Sequence, residues 1–304
     1  MNSNSPKVSV IVTTHNRAHL LGRAVKSVLY QSYTGFELVI VDDASSDNTE
    51  EIVRGFDDKR IVYIRHGEEM GGPAARNTGI RSARGEYVAF LDDDDEWLPE
   101  KLERQVEKME SSPADVGLIY TGFVLVDDLK KKRERMVYPV YRGDLRGQLL
   151  RGSTIGSVSK VLVRKKCFEK AGFFDENLKS CQDWDMWKRI SDHYTMDFVR
   201  EPLTRIHAHE RQISTDITSL ILGRTSMIKK HMRELETHPD ILIVHLKRLG
   251  KLNFINGAWR EGMRWFGEAV KLNIFEAVKI AGWCVFELPI VKLRSRADSS
   301  REER

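Results

Sequence analysis

A chain of 304 residues, 41% hydrophobic, 31% charged and 9% aromatic, has the make-up of one large globular domain or of a domain with an appendage. Its three cysteines, Cys167, Cys181 and Cys284, are odd in number and lack paired metal spacing, which excludes a disulfide framework and a cysteine zinc site and fits a reduced, cytoplasmic setting. The net charge of +4, without a recognition motif, gives no support to nucleic-acid binding.

The first half alternates short β-branched runs with helical stretches. Residues 8–13 (VSVIVT), 36–41 (FELVIV), 61–65 (IVYIR) and 87–91 (YVAFL) are predicted strands, apolar throughout and so expected to be buried on both faces. Between the first two, Leu20, Leu21, Ala24, Val25, Val28 and Leu29 recur at helical spacing. Before the fourth, residues 73–83 form a helix that begins on a proline. Such β-α-β alternation predicts an α/β fold with a mainly parallel, Rossmann-like sheet flanked by helices, whose ligands sit at the carboxyl ends of the strands.

Further along, residues 116–128 and 158–164 read as strands, 130–135 (KKKRER) as a solvated basic turn, and 183–194 as a helix. From about Ser219 the pattern turns helical, over 220–235, 240–257, 260–272 and 274–290, with Pro239, Gly257 and Asn273 near the breaks. Residues 257–273 have the small-and-aromatic spacing of a helical hairpin. The last residues, RSRADSSREER, read as a disordered polar tail. No apolar run is long enough to span a bilayer; residues 280–293 read as a packed helix or, with their basic flanks, as a helix lying on a membrane surface. The N-terminus lacks the basic flank and apolar run of an export signal. Residues 220–304 carry 16 Lys and Arg against 10 Asp and Glu, whereas the rest carries 33 against 35. That asymmetry is either solvated helix faces or a surface for something anionic, a membrane or an acidic partner.

Acids gather at strand ends. Asp42 and Asp43 follow the second strand, and Asp92, Asp93, Asp94 and Asp95 follow the fourth, on one edge of a parallel sheet. Strand alternation would send Asp92 and Asp94 to one side and Asp93 and Asp95 to the other. Hard oxygen ligands converging on one point suit Mg²⁺ or Mn²⁺; the plainer reading is a solvated acidic turn.

Four segments together, over about residues 7–215, resemble the family 2 glycosyltransferases, an inverting family with the A-type glycosyltransferase fold. They are VSVIVTTHNR, VDDASSDNT, GGPAARNTGIRSARGEYVAFLDDDDEWLP and GFFDENLKSCQDWDMWKR. The resemblance implies a nucleotide-sugar site built from Thr13, His15, Arg17, Asp42, Asp43, Arg76, Asn77, Asp92 and Asp93. In it Thr13 and Asp43 meet the base, Asp42 supports the loop, Asp92 lies near the ribose and Asp94 holds the metal on the diphosphate. Asp95 is a supporting acid, and Arg76 reads equally as a salt-bridge arginine. Asp183 falls at the position of the catalytic base, or serves as the cap of its helix; Gln182 replaces the glutamate usual before it. Asp185, two residues on, points away around the helix. His209 matches a histidine that reaches the metal or diphosphate in relatives, and His207 stands where arginine is common. Phe173 and Phe174 shape the acceptor pocket or belong to the core.

The implied activity is metal-dependent, inverting transfer from a nucleotide-sugar, a UDP-sugar first, to a glycan or lipid-linked acceptor in cell-envelope polysaccharide or glycolipid synthesis. Residues 1–218 form the catalytic domain, with a nucleotide half to about 115 and an acceptor half beyond; residues 219–304 form a helical region, its basic charge holding the enzyme peripherally on the cytoplasmic face of a membrane. A nucleotidyltransferase and a non-catalytic nucleotide-sugar binding module are the alternatives. The first usually opens with a glycine-rich phosphate loop, which TTHNRAHLLGR lacks.

Overall fold

A computed structural model describes residues 5–127, 133–208 and 216–287. The chain divides into two compact units, Met1–Leu178 with Gln182–Arg211, and Lys179–Cys181 with Gln212–Arg304.

In the first unit, β1 (Val8–Thr14), β2 (Phe36–Asp42), β3 (Ile61–Arg65) and β4 (Tyr87–Asp92) lie side by side and parallel in the order β3-β2-β1-β4. The run of Val and Ile in β1 and β2 is buried on both faces, as helices cover a parallel sheet on both sides. β3 departs from expectation: it is the edge strand and is half-exposed over most of its length. Helix α1 (Ala18–Leu29) buries Ala18, Leu21, Ala24, Val25 and Val28, the i, i+3, i+4, i+7 face that its spacing dictates. Its first amide is held by Asp47, with Ala18 N–H donating to Oδ2 at 3.0 Å. After α2 (Thr49–Arg54), helix α3 (Gly72–Ser82) begins with Pro73 in its first turn.

Two glycines fix how closely α3 and its exit approach β1. A Cβ at Gly79 would stand 2.5 Å from Ile11 Cγ2, and one at Gly85 would stand 2.6 Å from the backbone nitrogen of Ser9. The second obstacle is main chain and cannot rotate aside. Gly85→Ala is therefore expected to destabilise the first unit by about 3 kcal/mol, at the upper end of overpacking costs, read as a fall in its urea midpoint.

The sheet continues antiparallel. After β5 (Glu96–Trp97) and α4 (Lys101–Ser111), β6 (Val116–Asp127) pairs with β7 (Arg133–Val137). Helix α5 (Arg146–Arg151) and a 3₁₀ turn over Val158–Lys160 lead into β8 (Val161–Arg164), which lies between β4 and β6. Helices α6 (Cys167–Ala171) and α7 (Gln182–Ser191) precede β9 (Thr195–Ala208), which pairs parallel with β6 and closes against β5. The full order is β3-β2-β1-β4-β8-β6-β9-β5, with β7 on β6.

Two expectations are corrected here. Part of the basic run, residues 133–135, is strand, because β7 hydrogen-bonds along β6 and its charged side chains suit an edge; residues 128–132 lie outside the described residues. Residues 158–160 are not strand, because Ser157 Oγ accepts the Ser159 N–H and winds a turn there. Residues 195–208, assigned to no element from the sequence, are β9.

The second unit is helical: α8 (Ile217–Lys230), α9 (Met232–Glu236), α10 (Pro239–Ile255), α11 (Trp259–Leu272) and α12 (Glu276–Gly282), ending in a π turn over Trp283–Glu287. Pro239 opens α10, Gly257 turns the chain at φ 81°, and Asn273 ends α11. The 257–273 spacing is explained by α10 and α11 packing as a hairpin. Gly262 leaves the space taken by Phe254, Gly250 leaves that taken by Phe266, and the two rings stack at 5.3 Å. The polar tail and residues 288–293 lie outside the described residues. Among the described residues no helix is long and apolar enough to cross a membrane.

Candidate active site

The carboxyl ends of β1, β2 and β4 meet on one edge, where Thr13 of β1 is in register with Val41 on one side and Asp92 on the other. β4 stops at Asp92, and Asp95 N–H donates to Asp92 O at 3.1 Å, so residues 92–95 form a turn. This overturns the alternation expected of the four acids. Asp92, Asp94 and Asp95 each bring a carboxylate oxygen to one point, all within 4.8 Å of one another, while Asp93 goes elsewhere. Asp93 accepts from Thr14 Oγ1 at 2.7 Å and from Arg17 at 3.0 Å; burial pushes its carboxyl up to about 6 against the pull of Arg17.

The turn is braced from distant parts of the chain. Ser159 Oγ donates to Asp95 at 2.6 Å and accepts the Asp92 N–H at 3.1 Å, and His207 N–H reaches Asp95 at 3.3 Å. Arg23 donates to the Asp94 carbonyl. Arg17 lies 3.1 Å from Asp94, and Arg76 lies 2.8 Å from Asp92. Burial, and then the charges of Asp94 and Asp92, push the Asp95 carboxyl well above the usual carboxylate range. Three hard oxygen donors at this spacing, one held up by its acidic neighbours, fit a small divalent cation of the Mg²⁺ or Mn²⁺ kind.

At the end of β2, Asp42 and the following Asp43 are buried and engaged with protein. Asp42 accepts from Ser45 N–H at 2.8 Å and from Tyr63 hydroxyl at 2.5 Å, which suits a loop support. The Asp43 oxygens already take His66 Nδ1 at 2.7 Å, Met70 N–H at 2.9 Å and Gly71 N–H at 2.6 Å. Burial would raise its carboxyl, but the Met70 and His66 hydrogen bonds bring it below the usual range. His15 Nδ1 lies 2.6 Å from the Asp43 carbonyl, so His15 borders this loop. Thr13 is half-buried and has no side-chain hydrogen bond among the described residues.

Asn77 is buried, its amide donates to Phe174 O at 2.9 Å and to Glu176 at 2.8 Å, and its oxygen accepts Phe174 N–H at 2.8 Å. Both ends of the side chain fasten the GFFDE loop to α3. Phe174 is core and Phe173 is 40% exposed, which separates two residues that the sequence left together.

Helix α7 opens beside the acid turn. Arg76, besides Asp92, donates to Gln182 Oε1 at 2.8 Å, so one guanidinium spans from the turn to the residue before Asp183. Asp183 accepts the Trp184 N–H at 2.7 Å in a cap-like contact. Burial pushes its carboxyl up, against that hydrogen bond and the charge of Arg76. Asp185 points into the core, fully buried, 2.8 Å from Arg189. His207 is not a surface loop residue: it is buried on β9 with Nε2 3.1 Å from Glu96. His209 lies outside the described residues.

Sequence reasoning missed Ser159, Arg23 and His66. Each reaches the site from elsewhere in the chain and sits in no motif of its own; only the charge of Arg23 and the imidazole of His66 hinted at them.

The family described as Glycosyl transferase family 2 matches residues 9–172. An uncharacterized glycosyltransferase of Rickettsia typhi is 30% identical over 253 residues, covering 80% of this chain and 76% of that protein. WcaA of Escherichia coli, whose name places it in colanic acid biosynthesis, is 31% identical over 207 residues, 67% of this chain and 72% of its own. Among solved structures, Staphylococcus aureus TarS 1–349 in complex with UDP-GlcNAc superposes with a TM-score of 0.66 at 18% identity, covering 88% of this chain and 81% of that one. Mannosyltransferase PcManGT of Pyrobaculum calidifontis, in complex with GDP-Man and Mn²⁺, gives 0.60 at 18% identity, covering 96% and 84%. The parallel β-α-β half, the acid turn at its edge and these matches together make the chain a member of glycosyltransferase family 2, with that family's A-type fold.

Proposed function

We propose that this glycosyltransferase moves a sugar from a nucleotide-sugar, a UDP-sugar first, to a hydroxyl of a cell-surface glycan, with inversion at the anomeric carbon. The observation that carries the reading is the Arg76 bridge, which sets the acid turn and the Asp183 end of α7 on either side of one guanidinium. Asp92, Asp94 and Asp95 are the residues that would hold a divalent cation, which when bound supplies positive charge to the departing diphosphate. Thr13 and the loop at Asp43 border the base and ribose, with Asp42 and His15 shaping that loop. Arg17 and Arg76 stand beside the acids where phosphate charge would collect. Asp183 takes the proton of the attacking hydroxyl, and attack from the face opposite the leaving group inverts the centre. TarS with UDP-GlcNAc and PcManGT with GDP-Man and Mn²⁺ support the donor class and the cation; WcaA supports a surface polysaccharide as product.

The test is release of nucleoside diphosphate from a panel of UDP-, GDP- and dTDP-sugars, with and without Mn²⁺ or Mg²⁺. Release is expected to be fastest from a UDP-sugar and to fall to background in excess EDTA; release unaffected by EDTA would remove the cation from the reading.

A membrane role for the second unit is supported by one feature. Ile274, Phe275 and Val278 are 68%, 75% and 75% exposed around the start of α12, between Lys271 and Lys279. Apolar tips beside basic residues suit an anionic bilayer surface. The full chain is expected to co-sediment with phosphatidylserine vesicles at low salt, and Phe275→Glu with Val278→Glu to lose most of that binding. Equal sedimentation of wild type and variant would exclude this face.

A further inference from the structure

The wall of the first unit behind β6 contains a cavity of about 100 Å³, lined by Tyr120, Phe123, Tyr138, Tyr141, Thr154 and Lys160 among others. Tyr120 and Phe123 stand on β6 and Tyr138 and Tyr141 follow β7, and the tyrosines differ in burial. Tyr120 is core, whereas Tyr138 and Tyr141 are about half-exposed at the rim. The rim is held in place: Tyr120 hydroxyl donates to Tyr141 O at 2.6 Å, and Gly143 exchanges two backbone hydrogen bonds with Met196 on β9.

Lys160 is the unusual member. It is 6% exposed, its ammonium lies 4.5 Å from the centre of the Phe123 ring, and among the described residues that ammonium has no hydrogen-bond or ion-pair partner. The ammonium opens onto the cavity, where its three donors are available to a ligand and an anion would meet them best. Burial pulls it down to about 8, while Asp183 and Asp95 oppose that shift from nearby without pairing with it. Asp95 is already engaged by Ser159 and His207. Gly156, at φ 77°, lies beside the ammonium, and a Cβ there would stand 3.4 Å from Nζ.

This wall is tied to the helix that carries Asp183. Trp187 Nε1 donates to Gly156 O at 3.0 Å, and Trp184 Nε1 donates to Leu149 O at 2.5 Å. The stretch that holds Thr154 and Lys160 is thus fixed to α7 a residue or a turn beyond Asp183.

We propose that this cavity is an acceptor subsite for an anionic sugar unit, with its carboxylate or phosphate on Lys160 Nζ and its ring over Tyr138 and Tyr141. The cavity holds the charged group, and the half-exposed rings offer flat apolar faces to the sugar outside it. The assignment rests on the transferase reading above, because it is as an acceptor that such a unit would meet Asp183.

Saturation-transfer NMR on the full chain, with UDP present to fill the donor site, tests it using glucuronic acid, glucose 6-phosphate and glucose as probes. At least one anionic probe is expected to bind about tenfold or more tightly than glucose, and the tighter of the two tells carboxylate from phosphate. Lys160→Met is expected to erase that preference while leaving glucose as before, and Lys160→Arg to keep most of it. Tyr138→Ala with Tyr141→Ala, both at the exposed rim, is expected to weaken all three probes. Glucose binding equal to both anions, or an anion preference that survives Lys160→Met, overturns the subsite. Wild-type protein that releases UDP from a UDP-sugar but shows no anion preference loses this inference alone. Protein that binds anionic sugars by Lys160 and cleaves no nucleotide-sugar loses the transferase reading, and with it the acceptor role.

Discussion

Asp183→Asn is expected to lower sugar transfer by roughly a hundredfold to ten-thousandfold, the range typical of a lost general base, with donor affinity nearly unchanged. The substitution is conservative where the fold is concerned. The Asn oxygen can still accept the Trp184 N–H, and the Arg76 contact falls on Gln182, which remains. What disappears is a carboxylate able to take a proton. Because burial raises the Asp183 pKa, the wild-type rate should fall as pH drops through a value above the ordinary aspartate range. The sign follows from the ionised form being the base: more acid means more of the neutral, inactive carboxyl. The same raised pKa favours folding below the unfolded-state value, and that contribution is lost as pH rises through the folded-state value. Activity and this group's share of stability therefore run in opposite directions across that window. Steady-state rates from pH 4 to 9, with donor binding measured separately by calorimetry, check both halves. A variant that transfers sugar at the wild-type rate would remove Asp183 from the mechanism.

Asp94→Asn is expected to reduce the cation-dependent rate by at least about a hundredfold, as loss of charge stabilisation at a leaving group usually does, and to weaken Mn²⁺ binding in the presence of UDP. Without any cation its effect on the fold should be neutral or favourable. Asp94 is one of the charges that push Asp95 up, so neutralising it relieves a repulsion. Arg17 retains Asp93 at 3.0 Å. Thermal unfolding in EDTA should show a melting temperature no lower than wild type, while calorimetric Mn²⁺ titration shows the loss. A large drop in stability with cation binding intact would make Asp94 a structural residue.

Much of the first half was legible in the sequence because its signals are local. The Val and Ile runs of β1 and β2 leave no polar face for solvent, and the five buried positions of α1 repeat every three or four residues. Acids directly after two such strands must share an edge once the strands are parallel. What was not legible lay in one local turn and in contacts between distant segments. Alternation was carried past Asp92, although the 95-to-92 hydrogen bond turns the chain there. Asn77 and Asp43 have the right residue types for polar recognition, but their partners, Phe174 and the Met70–Gly71 amides, are identified only by the folded chain. Charged β7 resembles a turn until β6 is beside it. Lys160 carries no motif, and its isolation is a property of its surroundings.

The bracing of the acid turn also sets an order of assembly. Asp95 is held by Ser159, 64 residues later, and by His207, 112 residues later. A chain leaving the ribosome carries its four aspartates long before it carries either brace. Until β9 has emerged and docked, residues 92–95 have no fixed geometry to offer a cation. Contacts of such sequence separation close slowly, so maturation of the acid turn should track the final step of folding, and the nascent enzyme would be unable to sequester divalent ions or cleave donor before its acceptor side exists.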